Sequence, residues 1–162
     1  MMREAADERF MRRALELARE AARWGEVPVG AVVVEDGRII GEGLNLRETW
    51  RDGTAHAEMV ALAEASRRVG GWRLTNCTLY VTLEPCPMCA GAMVLARVGR
   101  LVYGASDAKG GAVESKVRLL EPGLWNHAPK ITSGILADDC AKLLTDFFRE
   151  RRARRGARGE VS

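Results

Sequence analysis

Between residues 7 and 23, Phe10, Met11, Ala14, Leu15, Leu17, Ala18, Ala21 and Ala22 recur at three- and four-residue intervals. That stripe predicts an amphipathic helix, with Asp7 as its N-cap. Residues 29–35 and 38–43 are shorter apolar runs joined by Asp36-Gly37, a dipeptide suited to a type I′ turn, and predict an antiparallel hairpin. A second helix is expected from Thr54, as cap, through Glu58, Val60, Leu62 and Ala65 to about Val69. Residues 78–83 form a β-rich run, after which Pro85 and Pro87 mark an abrupt change into a helix carrying Met88, Met93, Val94 and Leu95. Residues 101–104 and 131–136 predict further strands, and 137–155 a last amphipathic helix. Residues 112–130 show no period that assigns them.

Short strands alternating with helices predict an α/β fold: a three-layer α/β/α sandwich around one mixed sheet of about five strands. A chain of 162 residues, 47% hydrophobic and 29% charged, has enough apolar material for one core, so a single domain over residues 1–152 is expected. Residues 153–162 have lost their apolar anchors and are expected to fray as a basic tail. No run approaches the ~20 apolar residues of a membrane span, and the first ten residues carry charges, so the expected location is the cytoplasm. The net charge of +3 hides an asymmetry: residues 149–162 hold six Arg against two Glu, while the remainder holds 19 basic against 20 acidic groups. Such an end can meet phosphates, and equally can be a solvated helix end.

The candidate chemistry lies in two short pieces, His56-Ala57-Glu58 and Pro85-Cys86-Pro87-Met88-Cys89, each at the start of an expected helix. Together they supply one ring nitrogen and two thiols, zinc's preferred donors, and Cys86 and Cys89 share a helix face by their spacing of three. His56 and Glu58, two apart, cannot share a face in mid-helix, which places His56 at the helix boundary. Three protein ligands leave a fourth position for water, and Glu58 can move that water's proton to a ring nitrogen and then to a departing amine. Two other readings compete with this one. Cys77 could close a structural site of three cysteines and one histidine, but an extended strand would carry it ~20 Å from Cys86. A redox Cys86–Cys89 pair would leave His56 and Glu58 unexplained.

The H-x-E and P-C-x-x-C pieces resemble the signature of the zinc-dependent cytidine deaminase superfamily. The likeness extends through residues 26–33, 54–58, 82–93 and 107–109 to the bacterial tRNA adenosine deaminase family, over roughly residues 7–152. That resemblance implies a cytidine-deaminase-like domain of the CMP/dCMP type that hydrolyses the wobble adenosine of a transfer RNA anticodon to inosine, with release of ammonia, as a homodimer. It implies zinc on His56, Cys86 and Cys89, with Glu58 as the catalytic proton shuttle. Amides near Cys86 and Ala57 would face the water and the base. By the same resemblance Asn45 contacts the flipped nucleotide, Val27, Pro28 and Val29 line the base, and Asp107 touches the neighbouring ribose. Phe148, Arg149 and Arg152, beside Phe147 and Arg151, would receive the anticodon stem-loop. The chain departs from the family pattern at Asp52-Gly53, Leu46, Arg47 and Ser106. A deaminase of free guanine or cytosine on the same fold, and a catalytically silent zinc-stabilised RNA-binding module, are the alternative functions.

Overall fold

The computed structural model describes residues 2–159, as four helices and five strands. Helix α1 spans Met2–Arg23 and leads into strands β1 (Gly30–Glu35) and β2 (Arg38–Leu44). Helix α2 (Ala57–Val69), strand β3 (Cys77–Leu83), helix α3 (Pro87–Leu95) and strand β4 (Arg100–Ala105) follow. Strand β5 (Lys130–Ser133) and helix α4 (Ala137–Ala157) complete the order. The strands lie as β2-β1-β3-β4-β5 in one sheet. β1 is antiparallel to both β2 and β3, whereas β3, β4 and β5 run parallel, so the sheet is mixed as expected.

Strand alternation divides the core in two. Ala31 and Val33 of β1, Leu79 and Val81 of β3, and Leu101 and Tyr103 of β4 face α2 and α3. Val32 and Val34, Tyr80 and Val102 face α1, with Cys140 of α4 in the same cluster. Helices therefore cover both faces, which is the three-layer sandwich. The hairpin turns at Asp36 and Gly37, both with positive φ (50° and 74°), as a type I′ turn requires. At Gly41 and Gly43 the backbone of α2 lies so close to β2 that any Cβ would run into the carbonyls of Ala61 and Ala57. This approach holds the start of α2 against the sheet.

Three local expectations differ from the structure. Asp7 is not a cap: α1 begins five residues earlier, and Asp7 is buried with its carboxylate accepting from Tyr80 Oη (2.8 Å) and from both terminal nitrogens of Arg100 (2.8 and 2.7 Å). Arg100 also donates to Thr132 Oγ1 (2.8 Å), so this network ties α1 to three strands. Thr54 does not cap α2; the N-cap is His56, in extended backbone (φ −74°, ψ 151°). Helix α4 continues through residues 153–157, where fraying was expected; residues 160–162 of that tail lie outside the described residues. Residues 106–129 form turns without a helix or strand, which is why they carried no period. Among the described residues no helix is long and apolar enough to cross a membrane.

Candidate active site

The two chemical pieces meet at the starts of α2 and α3. Cys86 is the N-cap of α3, extended at φ −75° and ψ 173°, and Pro87 occupies the first helical turn, where a missing N–H costs nothing. Cys89 follows one turn later, fully buried. His56 occupies the matching cap position on α2, with its amide donating to Thr54 O (2.8 Å) and its carbonyl accepting from Val60 (3.1 Å). His56 Nδ1 lies 3.5 Å from the Sγ of Cys86 and 3.5 Å from that of Cys89, and the three donor atoms sit within 4.8 Å of one another. Tetrahedral zinc, with Zn–S about 2.3 Å and Zn–N about 2.0–2.1 Å, separates a sulfur from a nitrogen by about 3.5 Å. The donor set therefore fits that ion in both chemistry and spacing. Cys77 is not in the cluster; it opens β3 at the other end of the strand, 3.8 Å from a Glu35 oxygen.

The local electrostatics separate the two sulfurs. A hydrogen bond from Cys89 stabilises the Cys86 thiolate and, with the nearby amides, lowers its pKa to about 5. The same bond, together with burial, drives Cys89 strongly upward. A bound cation opposes that rise, because coordination deprotonates a thiol. Glu58 is 4% exposed in the first turn of α2, and burial pushes its carboxyl up to about 7, the range useful to a group that must both take and return a proton.

The remaining sequence candidates are held in different ways. Asn45 is buried, with Nδ2 donating to Val27 O (3.1 Å) and Oδ1 accepting from the Arg47 amide (3.2 Å), so it bridges the segment containing Val27, Pro28 and Val29 to the loop after β2. Pro28 is buried, Val27 and Val29 partly so, and Val29 packs against the α2–α3 core cluster. Asp107 is half-buried after β4, with Oδ1 accepting from the amides of Lys109 and Gly110 (3.1 Å each). Phe148, Arg149 and Arg152 are exposed on α4, where Phe148 meets Phe147 and Arg149 pairs with Asp146, not with the donor cluster. Phe147 meets Phe148 edge-on (5.5 Å) and carries Arg151 over its ring (4.7 Å). Arg151 also donates to Gly25 O, and an open cleft of about 380 Å³ runs between the end of α1 and this face, lined by Gly25, Phe147, Arg151, Arg154 and Arg155.

Two buried acids were not singled out from the sequence. Glu26 accepts from the amides of Glu48 (3.1 Å) and Thr49 (2.7 Å) and from Thr49 Oγ1 (2.7 Å), fixing the loop before α2. Glu84, just before Pro85-Cys86, does the same for the loop after β4. Burial alone would raise Glu84, but amide and hydroxyl donors from Asp107, Glu114 and Ser115 outweigh it and hold the carboxyl at about 2. An acid placed between a β-rich run and a Pro-Cys pair was the available signal.

Comparison with known proteins places these features in context. The model of the MafB19-like deaminase family matches residues 5–152. A tRNA-specific adenosine deaminase of Haemophilus influenzae is 51% identical over 152 residues, 93% of this chain and 88% of the relative. A solved structure from studies of A-to-I editing by tRNA:A34 deaminases is 48% identical with a TM-score of 0.81, covering 84% of this chain and 99% of that one. Guanine deaminase of Nitrosomonas europaea shares the fold at 28% identity and a TM-score of 0.76, over 86% and 83% of the two chains.

Proposed function

The chain belongs to the MafB19-like deaminase family, and from that premise we propose that it hydrolyses the wobble adenosine of a tRNA anticodon to inosine. The observation that carries the reading is the convergence of His56, Cys86 and Cys89 within 4.8 Å, with buried Glu58 two residues from the histidine. These three residues are assigned as zinc ligands. Zinc held there supplies Lewis acidity that makes water nucleophilic near neutral pH.

The chain's own groups account for the rest. The Glu58 carboxylate accepts a proton from the attacking water as its oxygen bonds to the amino-bearing ring carbon, and returns that proton to the ring nitrogen. The same carboxylate then takes the remaining proton from the newly bonded hydroxyl and delivers it to the amino nitrogen as the carbon–nitrogen bond breaks, so ammonia leaves and the carbonyl of inosine forms. A carboxyl poised near neutrality suits both transfers. The amides at Cys86 and Ala57 lie at helix starts, where N–H groups lack intrahelical partners and can hold the water and the base.

The pocket assignments rest on the resemblance to the tRNA adenosine deaminase family. Asn45 contacts the flipped nucleotide beside Val27, Pro28 and Val29, and Asp107 takes the neighbouring ribose hydroxyl, which distinguishes RNA from DNA. Phe148, Arg149 and Arg152 receive the anticodon stem-loop by stacking and phosphate contact. Residues 1–152 act as the deaminase domain, with 153–162 as its basic C-terminal tail. The working unit is a homodimer in the cytoplasm; exposed Trp72 and Leu95, which Arg97 contacts through its guanidinium, offer an apolar surface for the second copy.

The test is inosine formation by zinc-loaded protein on an anticodon stem-loop bearing wobble adenosine, beside free adenosine, guanine and cytosine. Inosine in the RNA alone is expected. Ammonia only from a free base would move the substrate to the class acted on by the guanine deaminase that shares the fold.

A further inference from the structure

Glu84 concentrates more hydrogen bonds than any part of the donor cluster, yet it touches no ligand atom. It directly follows β3 at 3% exposure, two residues before Cys86, and reaches a loop more than twenty residues ahead. Its Oε1 accepts from the Asp107 amide (3.0 Å) and the Ser115 hydroxyl; Oε2 accepts from the amides of Val113 (3.1 Å), Glu114 (2.9 Å) and Ser115 (3.0 Å). The backbone closes the arrangement, with Glu84 N–H donating to Ala105 O and Ala112 N–H donating to Pro85 O, 2.8 Å each. Gly111 has no room for a Cβ, which would run into the Glu84 carboxyl.

Two features set its role. Five donors occupy a carboxylate with about four lone-pair directions, leaving nothing to accept a proton from water, so Glu84 is no general base. A plain apolar plug would fill the same space, but it would not orient the peptide planes of Asp107 and residues 113–115. Asp107 is the loop residue with capacity to spare: its Oδ1 is taken by Lys109 and Gly110, and among the described residues no hydrogen bond reaches Oδ2.

We propose that Glu84 is a positioning residue: by holding the Asp107 amide it sets where the Asp107 carboxylate stands relative to Cys86, and so governs capture of the nucleotide beside the reacting one. This rests on the RNA reading above. Glu84→Gln isolates the effect. The amide oxygen can keep the three amides of residues 113–115, whereas its NH2 would then face the Asp107 amide, donor against donor; the Ser115 hydroxyl can turn to accept.

The experiment uses the zinc-loaded full chain and its Glu84→Gln, Gly111→Ala, Asp107→Ala and Glu84→Gln/Asp107→Ala variants. It reads metal content, hydrogen exchange of the 107–115 amides, and KM and kcat on the anticodon stem-loop. Both Glu84→Gln and Gly111→Ala are expected to keep their metal, lose protection at Asp107, and raise KM about tenfold or more with kcat nearly unchanged. The double variant should be no worse than Asp107→Ala. Unchanged exchange at Asp107, an additive double variant, or a loss of metal and kcat together would each overturn the proposal. Should the unsubstituted chain leave the stem-loop untouched, the RNA reading fails and so does the capture role, while the exchange result still decides whether Glu84 holds Asp107.

Discussion

The donor cluster and the α4 face solve opposite problems. His56, Cys86, Cys89 and Glu58 sit at or within one turn of helix starts pressed onto the sheet, and Glu58 and Cys89 are almost fully buried. On α4 the single fully buried residue is Cys140, and Arg149, Arg154 and Phe148 stand in solvent with ion pairs three or four residues apart. Exposed pairs of that kind hold little energy, and they can be exchanged for phosphate at little cost. The donor cluster is thus enclosed by packing, whereas the charges of α4 are open to water and counterions.

Breaking the rigid side should cost most. Cys86→Ala or Cys89→Ala should lose the metal, lower the melting temperature and abolish turnover, because binding energy at such a site is also folding energy; metal analysis with thermal unfolding checks this. Glu58→Ala should retain metal and fold while turnover falls by about 10²–10⁴, as read by inosine formation.

Acid stability sharpens the comparison further. The folded carboxyl of Glu84 titrates at about 2 against an ordinary 4.5, so its ionised form stabilises the fold above the ordinary value, and that contribution fades as pH falls toward 2. A contribution of about 3 kcal/mol follows, and Glu84→Gln should flatten the acid limb of urea midpoints measured between pH 7 and 2. The smallest effects belong to α4. Arg149→Ala with Arg152→Ala should weaken RNA binding modestly and reduce the salt slope by about one to two, with melting temperature unchanged.

Legibility in the sequence follows the same division. Cys86, Cys89, His56 and Glu58 are readable because each pair is joined by local spacing, and the hairpin because Asp36-Gly37 sets its own turn. Asp7 is misread because Tyr80 and Arg100, its partners, lie 73 and 93 residues away. Glu84 carries a local signal in its place before Pro85-Cys86, but its partners do not: its donors come from an irregular loop whose residues share no period. The extension of α4 to Ala157 reflects arginines whose stems and i,i+4 partner, such as Glu150 for Arg154, support a helix without apolar anchors.

The most direct test of the central claim is X-ray absorption at the zinc edge of the loaded chain, with zinc counted per polypeptide. One zinc with two sulfurs near 2.3 Å and two nitrogen or oxygen neighbours near 2.0–2.1 Å, at about those distances, is the predicted shell. Three or more sulfurs would mean that Cys77 or Cys140 closes the site, and would contradict a catalytic role for it.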